Sequence, residues 1–290
     1  MLVDAGRERR LTLHGVDFHV TEYASGGEGP PLMCLHGGMA HSRFFDFLAP
    51  LLGTHARPFA VDRRGHGASD WAEPGSYNTG QDIADTEEIC RAISPEPWVL
   101  VGHSQGGIYS VPLAQRGRLP LLALVLLDIP FDPLAPALQR TGRRLRRVPQ
   151  IRYPDAEVAQ RGFQPYPLPH RASEAACEYL AEHSFRPEED GSWVSRFHWA
   201  RMRQERDPSG DLLGDFPERY AELDLPVLVV RGGDSSILPR AEFDDMVARL
   251  PRGRGVEIPD TTHSLHLEEP AAVAQAINEF LAALTTAGAV

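Results

Sequence analysis

Apolar positions along the chain fall into two alternating rhythms. Continuous apolar runs of strand length occur at residues 31–35, 99–101, 122–127 and 226–230, and shorter, less uniform strand segments at 57–62 and 255–258, most of them bounded by Gly, Pro or Asp. Such runs predict short strands buried on both faces. Between them, residues 79–93, 240–250 and 271–284 carry apolar side chains at helical spacing, and 41–52 is amphipathic. Near the start, residues 10–13 and 17–23 alternate in character around His14-Gly15, which predicts an antiparallel hairpin. A βαβα alternation of this kind predicts the α/β class, with a mostly parallel sheet of about eight strands flanked by helices.

The rhythm breaks after residue 130. Pro-rich and Arg-rich tracts appear, including Arg143-Arg144-Leu145-Arg146-Arg147 and Gln164-Pro165-Tyr166-Pro167-Leu168-Pro169. Periodic strands are not evident there, and helical pieces are expected at 172–183 and 195–205. The expected organisation is a core of residues 1–132 and 214–290 with an inserted helical cap at 133–213. Phe163, Trp193, Phe197 and Trp199 of that cap are expected to serve mainly as packing. No internal repeat is evident.

Composition narrows the function classes. The 290 residues are 42% hydrophobic and 24% charged, as in ordinary globular proteins, with a net charge of −11. That sign argues against a nucleic-acid partner. The longest apolar run, 121–127, is far too short to cross a bilayer, and residues 1–10 lack the apolar stretch of a signal peptide. Cys34, Cys90 and Cys177 are widely spaced, which predicts buried free thiols and a cytoplasmic address. None of the twelve histidines stands in metal-ligand spacing, so neither metal nor cofactor is expected.

The chemistry concentrates at Gly102-His103-Ser104-Gln105-Gly106-Gly107, which follows the 99–101 strand and precedes a helix begun by Ile108. A G-x-S-x-G at a strand-to-helix junction is the nucleophile elbow: flanking glycines permit the sharp turn, and the serine hydroxyl is held out at the helix start. Pro112 inside that helix predicts a kink or an early break. A serine needs a base to take its proton as it attacks. His263, in the loop Asp260-Thr261-Thr262-His263-Ser264 after the last strand, is the candidate, with His266 as competitor. His36, His66 and His103 are expected in backbone and loop roles.

Taken together, His36-Gly37-Gly38, Asp62-Arg63-Arg64-Gly65-His66-Gly67-Ala68-Ser69, the Ser104 motif and the late His263 resemble the α/β-hydrolase fold superfamily over nearly the whole chain outside the cap. The resemblance implies a Ser-His-acid triad of Ser104 and His263, and an oxyanion hole made by the N–H groups of Gln105 and Gly38, with Met39 as the alternative to Gly38. The acid departs from the superfamily's commonest pattern, G-x-x-D after the seventh strand, because three residues past Gly232 stands Ser235. Asp128, closing the sixth strand, is favoured over Asp234. Its place is similar to that in haloalkane dehalogenases, fungal zearalenone lactonases and an esterase branch with Gly-Gly-x-Ser after strand seven, which Gly232-Gly233-Asp234-Ser235 resembles. The implied function is hydrolysis of a small carboxylic ester or lactone through an acyl-enzyme. A serine at position 104 argues against dehalogenase and epoxide-hydrolase chemistry, which use aspartate there. Alternatives on the same scaffold are C–C hydrolysis of a diketone-like substrate, a cofactor-free dioxygenase or lyase, and a ligand sensor.

Overall fold

The apolar runs assemble side by side. The computed structural model of the chain describes residues 6–24, 29–200 and 212–286. Its strands are β1 (Arg7–Leu13), β2 (Val16–Glu22), β3 (Pro31–Leu35), β4 (Arg57–Val61), β5 (Trp98–His103), β6 (Leu121–Leu127), three short ones, β7 (Arg152–Tyr153), β8 (Phe185–Pro187) and β9 (Trp193–Ser195), then β10 (Val227–Gly232) and β11 (Gly253–Ile258). Eight of them form one sheet in the order β1-β2-β4-β3-β5-β6-β10-β11. β1 and β2 pair antiparallel, as do β2 and β4, and the other pairings are parallel. His14 and Gly15 join β1 to β2 with φ of 51° and 75°, the left-handed pair that a two-residue hairpin requires.

Side chains alternate between two cores, as the twofold period of a strand demands. Met33, Leu35, Leu100, Leu124, Leu126 and Val229 pack on one face with Ile83 and Ile89 of α1 (Thr79–Ile93), Tyr109 of α2 (Gln105–Arg116) and, further along the chain, Phe243 and Met246. Leu32, Cys34, Val99, Val101, Val125, Leu127 and Val230 pack on the other, against Phe45, Leu48 and Leu52 and the C-terminal Val273, Ile277 and Phe280. Residues 42–52 form two short 3-10 turns, Ser42–Phe45 and Ala49–Leu52, the second with Pro50 in its first turn. α2 runs unbroken through Pro112 to Arg116, where Gly117 at φ 60° caps it. The expected break is absent because Val111, Pro112 and Leu113 are all buried, and that packing outweighs one lost backbone hydrogen bond. The three cysteines are buried and free.

The segment between β6 and β10 holds α3 (Pro136–Leu145), α4 (Ala156–Gln160), α5 (Glu174–Ser184) and α6 (Phe216–Arg219). It is not purely helical: β7, β9 and β8 form their own antiparallel sheet. The helix expected at 195–205 is absent over 195–198, where β9 ends at Ser195 and is followed by bends; 201–205 lie outside the described residues. Strands of two or three residues are too short to show a period. The chain closes with α7 (Arg240–Arg249), α8 (Leu265–Glu268) and α9 (Pro270–Thr286). Among the described residues no helix is long and apolar enough to cross a membrane.

Candidate active site

The carboxyl ends of the parallel strands converge on one edge of the sheet, where open α/β sheets bind ligands. β5 ends at His103, Ser104 turns with φ 50° and ψ −121°, and α2 begins at Gln105. A non-glycine residue in that region costs about 1–3 kcal/mol. The neighbouring core outweighs it, since each fully buried Leu or Val contributes about 1.5–3 kcal/mol and β5 is buried throughout. The turn is tight enough to exclude side chains on both flanks. A Cβ on Gly102 would stand 2.4 Å from Gly107 Cα, and one on Gly106 would stand 2.2 Å from Leu35 O.

Asp128 follows β6 with φ 46° and is fully buried. Its Oδ1 accepts the Gly232 N–H at 3.0 Å, and its Oδ2 accepts the Ser235 hydroxyl at 2.5 Å and His263 Nδ1–H at 2.7 Å. Ser235 Oγ itself accepts from the N–H groups of Ile237 and Leu238, so its proton is free to go to Asp128. Three donors thus satisfy a carboxylate that water cannot reach. With Nδ1 donating, His263 presents the lone pair of Nε2.

The His263 loop is held from several sides. Glu268 accepts from the Thr262 N–H and hydroxyl, both at 2.6 Å, and His103 Nε2–H donates to the His263 carbonyl at 2.9 Å. Burial, reinforced by His266 and His263, holds the His103 ring well below the usual imidazole range, so it acts as a neutral donor. His266, the competitor, is buried against His103 and Phe45 with neither ring nitrogen hydrogen-bonded to a described residue, and burial lowers it to about 3. Asp234 lies elsewhere: about half exposed, it pairs with Arg171 at 2.7 Å.

Across the cavity, Gly37-Gly38-Met39 follows β3. The Gly37 carbonyl accepts from His36 Nδ1–H at 2.8 Å and from Arg63 Nη2 at 3.1 Å. His36 takes that tautomer because its Nε2 accepts the Arg63 backbone N–H at 3.1 Å. Arg63 Nη2 also donates to Gln105 Oε1 at 2.9 Å, so one guanidinium links the two loops. The flanking Asp62 and Arg64 brace the same segment: Asp62 accepts from Ser42 N, Ala68 N and His19 Nδ1, and Arg64 makes a two-pronged pair with Asp85 of α1. Met39 is in the left-handed region at φ 62°. Arg63, Ser235 and Glu268 were not singled out as site residues from sequence. Only Ser235 carried a local signal there, the Gly-Gly-x-Ser pattern.

Ser104, His263, Gly38, Met39 and Gln105 line one cavity of about 370 Å³. Its remaining wall is mostly apolar, with Phe44, Ile108, Ile237 and, from the inserted segment, Leu138, Leu145 and Phe197; Arg146 is the cationic member. Among the described residues no cluster of three or more potential ligands could hold a metal ion.

Comparison with known proteins agrees with this architecture. The sequence model of the "Alpha/beta hydrolase family" matches residues 32–276. An esterase of Mycobacterium tuberculosis is 26% identical over 264 residues, spanning 88% of this chain and 84% of its own. The 2-(acetamidomethylene)succinate hydrolase of Mesorhizobium japonicum is 28% identical over 275 residues, spanning 94% of both. A crystal structure of an E-2-(acetamidomethylene)succinate hydrolase superposes with a TM-score of 0.80 at 26% identity, over 95% of this chain and 99% of that one.

Proposed function

Because the chain belongs to the α/β hydrolase family, we propose that it is a serine hydrolase that cleaves a carboxylic ester or lactone through an acyl-enzyme. Ser104 Oγ attacks the carbonyl carbon while His263 Nε2 takes its proton, and Asp128 stabilises the imidazolium so formed. Collapse of the tetrahedral intermediate expels the alcohol, which receives that proton from His263. Water, deprotonated by the same ring, then releases the acid and restores Ser104.

The oxyanion is held by the N–H groups of Gln105 and Gly38. The first belongs to the opening turn of α2, whose donors have no carbonyl within the helix. For the second, peptide planarity supports Gly38 over Met39. The Gly37 carbonyl is drawn toward His36 and Arg63, so the N–H across the same trans peptide points the opposite way.

The observation that carries this reading is the buried Asp128–His263 hydrogen bond of 2.7 Å, beside a cavity that Ser104 also lines. The apolar wall supports an uncharged, apolar acyl group, with no cofactor. A hydrolysis screen over acyl length, aryl esters, lactones and a diketone tests it. The wild type should turn over esters or lactones, and Ser104→Ala should lower the rate by on the order of a millionfold. A variant keeping a tenth of the activity would exclude the acyl-enzyme, and turnover of the diketone alone would favour C–C hydrolysis.

A further inference from the structure

Beyond the Ser104 cavity lies a second chamber of about 210 Å³. The two share a wall built from Gly38, Met39, Ala40, Phe44, Tyr166 and Phe197. The far side of the chamber belongs to the inserted segment and carries Tyr153, Phe163, Phe185 and Trp199, with Ile151 at its rim. These rings meet edge to face. Tyr153 and Phe185 have centroids 5.5 Å apart at 83°, Phe163 and Phe185 6.1 Å at 85°, and Phe197 and Trp199 5.2 Å at 78°.

The chamber is not a sealed interior void: it opens toward solvent, where Ile151 and Tyr166 are exposed, and its aromatic side chains line that opening without closing it. An apolar cavity of about 150 Å³ already accepts benzene. Among the described residues no charged side chain lines the chamber; its polar groups are Gln164, Ser195, the Tyr153 and Tyr166 hydroxyls and the Trp199 indole N–H. A flat guest ring there would meet both faces and edges of aromatic neighbours, the arrangement that aromatic pairs prefer.

We infer that the chamber is an aryl subsite: it takes an uncharged aromatic ring joined by a few bonds to the carbonyl that Ser104 attacks. The short link follows from Gly38, which belongs to both walls and whose N–H is assigned to the oxyanion in the proposed mechanism. The inference rests on the hydrolase reading for the carbonyl, whereas recognition of the ring rests on the chamber alone.

Two measurements separate these layers. In titration calorimetry, phenylacetamide should bind about tenfold more tightly than cyclohexylacetamide, which differs in ring flatness and π-character. Ile151→Trp, at a position 46% exposed, places an indole into the chamber from its rim at little cost to folding and should reduce that preference to about twofold or less. In hydrolysis, kcat/KM should favour the aryl member in at least one of two ester pairs, ethyl phenylacetate against ethyl cyclohexylacetate or benzyl acetate against cyclohexylmethyl acetate. The favoured pair tells which side of the ester the chamber holds. Equal binding of the two amides, or a preference that Ile151→Trp leaves intact, overturns the subsite. Selective amide binding without cleavage of any ester would leave the subsite standing and count against the hydrolase reading. Cleavage of both pairs without preference does the reverse.

Discussion

At the scale of single residues, the carboxylate behind His263 separates two outcomes most sharply. Asp128→Asn replaces an acceptor with an amide able to donate to Nδ1, which favours the wrong imidazole tautomer, and turnover should fall about 10⁴-fold. Asp234→Asn removes only a surface pair with Arg171, both about half exposed, so its effect on turnover should stay within about twofold. Steady-state kinetics of the two variants check this, and the reverse ranking would move the acid to Asp234. Arg63 acts at one remove. Arg63→Met would free the Gly37 carbonyl to turn and release the Gln105 side chain. Losing an oxyanion donor outright costs about 10²–10³ in kcat, so a loosened one should cost roughly 10- to 100-fold, mostly in kcat with KM little changed. A rise in KM at constant kcat would assign Arg63 to substrate binding instead.

At the scale of elements, the core was far more legible than the insertion. Runs such as Val227-Leu228-Val229-Val230 are buried on both faces, so apolarity alone marks them as strands. His14-Gly15 marks its hairpin because few other pairs accept two positive φ values. The sheet of β7, β9 and β8 could not be read, because its two- and three-residue strands depend on contacts between segments distant in sequence. The links among Arg63, Gly37 and Gln105 were hidden for the same reason: 26 and 42 positions separate the partners. The insertion's helices also differ in how they are held. α5 is capped by Ser173 and buries Ala176, Leu180 and Ala181, whereas α3 has no side-chain cap and no buried residue. Amides of α3 should therefore exchange with solvent well ahead of those of α5 and β5. Equal protection in α3 and α5 would mean that α3 is anchored by contacts other than burial.

At the scale of the whole molecule, buried histidines set the response to acid. Burial holds His36 and His103 well below the usual imidazole range and lowers His41 and His266 to about 3. The unfolded chain protonates these groups near pH 6.5 while the folded one does not. Below that pH the unfolded state binds more protons, so stability is intact above about pH 6.5 and falls as pH drops toward 3. Each such group removes about 1.4 kcal/mol per pH unit. Among the described residues His266 has no hydrogen-bond partner, and it packs beside Phe45, so phenylalanine fits its place. Urea unfolding should show that His266→Phe recovers about 2 kcal/mol of the stability lost between pH 6.5 and 5. An unchanged loss would mean that His266 does not contribute to it.

The central claim is that Ser104 is a nucleophile activated by His263. Intact-mass and peptide mapping after brief exposure to a fluorophosphonate tests it most directly. The account predicts a single adduct, located on Ser104, formed at a rate that collapses in His263→Ala. An unlabelled protein, an adduct on another residue, or undiminished labelling in His263→Ala would contradict it.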